Sequence, residues 1–350
     1  MTDSGSPLVD PDRLAAWMDG ADLAPGSPLD VTRITTGHSN EVFRVTRGDL
    51  RLALRRPPRT PLSPTAHDMA REFRLLRAFR DPSGWVERAP VPVPRPVALC
   101  ADPDVIGAPF YLMELLDGVV VRERMPEPFA GDREAGRPCA FAMIDALAGI
   151  HAFAWREGGL ADFGRPEGYL ERQVPRWLGQ LDRYRTRDLP EVDDAGDWLQ
   201  AHRPDMQDPT VIHGDYKLDN LMFEPTLPPT VQAVVDWEQS TIGVPLVELG
   251  WVIGLWVEPG DAGALVGVSP LGVAAPTRRE LADRYAQATG RDLTNLPFYC
   301  VLGLFKLACV MEGSYARFAA GTSDDAYFAT LAAGVPALAR RALEFAEGSR

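Results

Sequence analysis

Apolar positions along this chain change their period partway, and the change divides it in two. Residues 10–20, DPDRLAAWMDG, read as a short capped helix closed by Gly20. Residues 31–34 and 42–45 are apolar runs flanking a polar turn, and Leu50, Leu52 and Leu54 alternate with polar neighbours, so three strands are expected. SPTAHDMAREFRLLRAFRD then predicts a helix with Ser63 as N-cap, Pro64 at its first position and Met69, Phe73 and Leu76 as its apolar stripe. The run APVPVPRPVALC is extended, because each proline disfavours helix in its predecessor. It leads into APFYLMELLDG, a strand ending in a glycine turn.

Beyond Gly118 the helical period takes over. CAFAMIDALAGIHAFAW places Phe141, Ile144, Ala148 and His151 on one side of a helix. YLERQVPRWLGQLDRY is a second helix, with Pro175 early enough to be tolerated or to kink it. VIHGDYKLDNLMFEPTLPPTVQAVVDWEQSTIG reads as strand, loop and hairpin, and residues 245–350 as mainly helical. No repeats or low-complexity tracts occur. The pattern predicts an α+β, bilobal protein: a small β-rich N-lobe over residues 1–116 and a larger helical C-lobe over 117–350.

At 350 residues, with 45% hydrophobic and 24% charged positions, the chain has ample material for a core. A net charge of -13 argues against wholesale binding of nucleic acid or anionic lipid. The acidic start has no secretion-signal pattern, and the apolar runs LGWVIGLWV and YCVLGLF are too short to span a bilayer, so a cytoplasmic location is expected. Cys100, Cys139, Cys300 and Cys309 lack zinc or CxxC spacing and read as reduced thiols. Arginine fills nearly every basic position; Lys217 and Lys306 are the only lysines.

HGDYKLDN followed by VVDWE carries the chemistry. A symmetric hairpin centred on Pro228 sets Asn220 opposite Asp236, with Cβ atoms roughly 5 Å apart. A carboxylate and an amide oxygen at that spacing suit an oxygen-seeking cation such as Mg²⁺. Asp215, on the loop just before, is placed to receive a proton from a substrate hydroxyl, and Lys217 to set a cation beside a phosphoryl group.

This order resembles the catalytic loop and metal-binding aspartate of the kinase fold. HGD with DWE is similar to the aminoglycoside phosphotransferase family. The runs TGHSN, LALRRPP, AHDMAREFRLL, PVPRPVALC, YLERQ, WEQSTIGVPL and ARFAAG resemble its kinase-like branch found alone in bacteria and fused to some acyl-CoA dehydrogenases. The resemblance implies ATP and Mg²⁺ as cofactors and catalysis by Asp215 and Lys217. It implies phosphate contacts from the turn Gly37, His38, Ser39 and Asn40 and from Arg55, with Glu72 as its ion-pair partner, and adenine contacts along Glu114 to Leu116. Arginine at 55 departs from the usual lysine and is not equivalent to it; Arg56 would face the other side of the strand.

Asp162-Phe163-Gly164 has the letters of the kinase metal-binding triplet, but it precedes His213, so no hairpin can join it to the catalytic loop. It reads as a linker. His213 reads as structural, Asp219 as loop-bracing or substrate-side, Glu238 as on the strand face of Asp236 if the strand continues, with contact to the metal through water as its alternative role, and His38 and His151 as lacking metal-ligand spacing. Val244 and Glu248 replace aspartates usual in the family, which puts loop bracing in doubt; Lys306 on its apolar helix reads as a snorkelling lysine, with lining of the substrate side as the alternative. The function these readings favour is phosphoryl transfer from ATP to the hydroxyl of a small metabolite or an antibiotic. The rivals are a catalytically silent nucleotide-binding protein and a metal hydrolase built on the same aspartates.

Overall fold

The structure is a computed structural model that describes residues 8–34, 40–59, 67–80, 91–258, 261, 271 and 275–348. Its first helix, α1 (Pro11–Gly20), starts where the Asp10 carboxylate accepts the N–H groups of Asp12 and Arg13. β1 (Leu29–Ile34), β2 (Glu41–Arg47), β3 (Leu50–Arg56), β4 (Pro96–Cys100) and β5 (Phe110–Glu114) form one antiparallel sheet in the order β1-β2-β3-β5-β4. Leu14 and Met18 of α1 bury against Val45, Leu54, Phe110 and Leu112 on one face of it.

The long N-lobe helix, α2 (Met69–Arg80), begins later than its sequence pattern predicts. His67 and Asp68 are not helical, and the Asp68 carboxylate accepts the Arg71 N–H at 3.0 Å. A carboxylate cap next to the first buried residue, Met69, fixes the start there; Ser63 and Pro64 lie outside the described residues.

The C-lobe holds α3 (Gly136–His151), α4 (Gln173–Leu181), α5 (Pro190–Ala201), α6 (Pro245–Leu255), α7 (Arg278–Thr289), α8 (Leu296–Ala319) and α9 (Ala326–Ala346). Pro175 sits in the first turn of α4, where its missing N–H has no partner to lose. The helix α5 goes unpredicted by apolar period; Pro190 at its start and Glu191 and Asp193 in its first turn were its readable signals. α8 packs against α6 and α9. It is long and apolar enough to cross a membrane, unlike the shorter runs read from sequence, and 67% of its most apolar window is buried inside the protein. Short strands complete the lobe: β6 (Val119–Val120), β8 (Leu221–Phe223) and β9 (Val231–Val234) pair as one sheet, and β7 (Thr210–Ile212) pairs with β10 (Thr241–Gly243). All four cysteines are buried and free.

Candidate active site

β7 delivers the chain into the loop that carries His213, Gly214, Asp215 and Lys217. His213 is fully buried. Its Nε2 donates to the Val235 carbonyl at 2.8 Å, and its Nδ1 accepts the Asp215 N–H at 3.3 Å, so it ties loop to hairpin rather than facing a substrate. Gly214 has φ +88°, and a Cβ there would lie 2.5 Å from the Gln239 carbonyl oxygen, so only glycine fits. The Gly214 N–H donates to Glu248 Oε1 at 2.7 Å, and Glu248 Oε2 is 3.1 Å from Nε2 of His151. Loop bracing is therefore retained. Glutamate at 248 reaches the loop itself, while Val244 is simply buried.

Asn220 and Asp236, the pair expected to hold a metal, come together by a different route from the symmetric hairpin. Leu221 faces Val234 and Met222 faces Ala233, then the register shifts so that Phe223 faces Val231. The Val235 N–H donates to the Asn220 carbonyl at 2.9 Å, which makes Val235, not Asp236, the residue across from Asn220. Asp236 lies one step further, in the left-handed conformation (φ 68°, ψ 60°), and turns out of the strand. Glu238 consequently sits in a 3₁₀ turn rather than on a continuing strand face. Asn220 and Asp236 nevertheless line one cleft between the lobes. Asn220 Nδ2 donates to the Asp215 carbonyl at 2.8 Å and to its Oδ2 at 3.3 Å. That leaves the amide oxygen as its metal-facing atom.

Two oxygen donors of this kind fit Mg²⁺, which keeps several waters and takes one or two protein ligands. Burial pushes the Asp236 carboxyl up, but the adjacent Arg55 outweighs it and holds the group below its ordinary value. Among the described residues no cluster of three His, Cys, Asp or Glu side chains could cage a metal.

Arg55 faces the cleft: its Nε donates to Glu72 Oε2 at 2.9 Å and a terminal nitrogen to Asp236. Tyr111 donates its hydroxyl to the same Glu72 oxygen at 3.1 Å. Arg56 points to the opposite side of β3, onto the carbonyls of Leu8 and Ile106. Asn40 lines the cleft and donates to Glu238 Oε2 at 2.6 Å; Gly37, His38 and Ser39 lie outside the described residues. Glu114, Leu115 and Leu116 line the cleft as well. The Glu114 N–H is committed to the Arg95 carbonyl and the Leu115 N–H to that of Arg51, whereas the Leu116 backbone makes no hydrogen bond among the described residues.

The cleft has a volume of about 520 Å³. Across the 213–220 loop lies a second cavity of about 310 Å³, lined by Trp177, Trp251, Trp256, Met143, Met311 and Leu255 together with Asp215, Lys217 and Lys306. Lys217 Nζ is 3.0 Å from Asp215 Oδ2. Asp219 lines the cleft, and burial raises its carboxyl above the ordinary value. Lys306 does not snorkel: its Nζ donates to the Gly214 carbonyl at 2.9 Å beside the rings of Trp251 and Trp177. Its retention in an arginine-biased chain was the sequence signal for it.

Asp162-Phe163-Gly164 is an anchor for α2. Arg71 stacks on Phe163 at 3.5 Å and donates to the carbonyls of Phe163 and Ser240, and Arg74 pairs with Asp162. Gly164 packs so closely on β10 that a Cβ would lie 2.5 Å from the Ile242 nitrogen.

The family model described as the phosphotransferase enzyme family matches residues 30–299. Acyl-CoA dehydrogenase family member 11 of Gallus gallus is 33% identical over 342 residues, 95% of this chain and 42% of that protein. The chain thus spans less than half the length of this relative. A crystal structure of a candidate aminoglycoside phosphotransferase from Ralstonia eutropha is 31% identical, covers 96% of this chain and 98% of its own, and has a TM-score of 0.79. The GDP complex of aminoglycoside 2'-phosphotransferase-IIIa is 15% identical, with a TM-score of 0.60 over 94% of this chain and 97% of that one, and shares the kinase-like fold.

Proposed function

We propose that this chain, which belongs to the phosphotransferase enzyme family, uses ATP and Mg²⁺ to phosphorylate the hydroxyl of a small molecule with an apolar body, a hydroxy acid or its acyl derivative. One observation carries this reading: the 213–220 loop divides two cavities. Asn220 faces the inter-lobe cleft with Asp236 and Arg55, while Asp215 and Lys217 face the apolar cavity. A phosphoryl donor and a hydroxyl acceptor would meet across it.

In that arrangement Asp215 orients the hydroxyl and takes its proton. Lys217 offsets charge on the transferring group, and Arg55 holds donor phosphate oxygens. Asn220 and Asp236 would hold Mg²⁺, which when bound neutralises phosphate charge. Phosphoryl transfer needs mainly positioning and charge neutralisation, and these residue types supply both. GDP in a neighbour of the same fold supports nucleotide in the cleft.

The acceptor class rests on the lining. Three tryptophans and two lysines suit an apolar, uncharged or anionic molecule better than a polycationic aminoglycoside. A relative named for acyl-CoA chemistry agrees with an acyl acceptor. The test is a mass-spectrometric search for phosphoryl gain, with ATP and Mg²⁺, across hydroxy acids, hydroxyacyl-CoAs, aminoglycosides and macrolides. Phosphorylation of the first two groups is expected. Transfer only to an antibiotic would overturn the acceptor class. A magnesium-dependent thermal shift with ATP but no turnover across the panel would identify a silent nucleotide-binding protein instead.

A further inference from the structure

Among the described residues Lys306 is a cation with no ion-pair partner. It rises from α8, between the buried residues Phe305 and Leu307, and its Nζ lies 4.9 Å from the Trp251 ring centre and 5.5 Å from that of Trp177. Among the described residues no carboxylate forms an ion pair with it. Asp215 is paired with Lys217, and Glu248 is engaged by His151 and the Gly214 N–H. An ammonium has three donors, and the Gly214 carbonyl takes one. Burial pushes the Lys306 pKa down, with Asp215 and Glu248 opposing that shift.

Lys306 stands where two cavities adjoin. It lines the apolar one of about 310 Å³ and a neighbouring one of about 530 Å³ that also contains Gln173, Arg176 and Gln180. Trp251 lines both, and its buried Nε1 has no hydrogen-bond partner among the described residues. The half-buried Lys306 ammonium at this junction is a donor only, so it recognises an acceptor-only group. The carboxylates lining the larger cavity, Glu238 and Glu248, already accept from Asn40 and from Gly214.

We propose that Lys306 binds a carboxylate on the acceptor substrate. The apolar chain of that substrate fills the 310 Å³ cavity and brings its hydroxyl to Asp215. Lys306 is then the residue that selects hydroxy acids over plain alcohols. This rests on the phosphotransferase reading, and binding separates the two.

The experiment is calorimetry on wild type and Lys306→Met with Mg²⁺ and a non-hydrolysable ATP analogue. Two ligands of equal chain length are compared: a hydroxy acid and the diol in which the carboxylate becomes CH₂OH. Wild type is expected to prefer the acid by about tenfold or more, the scale of a hydrogen bond to a charged group. Lys306→Met is expected to erase that preference without lowering the unliganded melting temperature, because it removes a half-buried charge that has no ion-pair partner among the described residues. Equal binding of acid and diol by wild type overturns the proposal. So does a variant that keeps the preference, or one that loses both ligands equally while melting earlier, as a mere prop for Gly214 would. Acid preference through Lys306 with no phosphate transferred to either ligand would leave this inference standing and sink the kinase reading. Phosphorylation of both ligands without preference would do the reverse.

Discussion

Arg55 joins Glu72 of α2 to Asp236 of the turn after β9, donating Nε to the first at 2.9 Å and a terminal nitrogen to the second. The side chains of Arg55 and Glu72 are 9% and 3% exposed, so this is a buried pair rather than a surface one. Arg55→Ala leaves the Glu72 carboxylate buried with the Tyr111 hydroxyl as its remaining donor. We expect a loss of about 3–5 kcal/mol in urea unfolding and a raised KM for ATP. Arg55→Lys restores a charge but not the planar fork that reaches two partners, so its KM for ATP should lie between the two.

Asp215 and Asp236 line different cavities, and the proposed transfer needs both. Asp215→Asn would remove the proposed proton acceptor while keeping shape. Asp236→Asn would remove the proposed charged metal ligand. Each should lower kcat on the order of 10²-fold or more, with an unchanged near-ultraviolet dichroism spectrum. Near-normal ATP consumption by either variant would refute its assigned role.

The N-lobe strands and the strand, loop and hairpin around residues 211–236 were legible because alternation, proline and the HGD spacing are local signals. What was not legible is set by non-local geometry. The symmetric hairpin put Asn220 opposite Asp236, but the register shift beyond Met222 moves the pairing to Val235, and a left-handed backbone then returns Asp236 to the cleft. No pattern of letters announces a bulge. Lys306 read as snorkelling because an apolar helix gives no sign of which of its faces meets a cavity. The bracing by Glu248 was hidden because it depends on where α6 passes beneath the loop, 34 residues later in sequence.

Gly214 should tolerate no side chain. At φ +88°, with the Gln239 carbonyl oxygen 2.5 Å from where a Cβ would sit, Gly214→Ala must move one backbone segment against another. The strain is about 1–3 kcal/mol, and it acts on the residue preceding Asp215. We expect a lower melting temperature together with a fall in kcat larger than any change in the KM for ATP. An active, unshifted variant would show that the loop's backbone conformation is not what positions Asp215.

Acid should weaken the support beneath the catalytic loop through His151. Burial holds its pKa below the ordinary value of 6.5, more strongly than Glu248 raises it, and burial pushes Glu248 up while His151 brings it net below its own ordinary value. The pair is therefore a neutral imidazole donating Nε2–H to a carboxylate, with Nδ1 accepting the Tyr285 hydroxyl at 2.7 Å. The unfolded chain binds a proton at His151 near pH 6.5 and the folded chain resists it, so stability is full above that pH and falls as the solution is acidified through it. Urea midpoints measured from pH 7.5 to 5.5 should fall for wild type. His151→Gln, which cannot titrate, should be less stable at pH 7.5 yet show a flatter profile. Parallel profiles for the two proteins would place the acid sensitivity elsewhere.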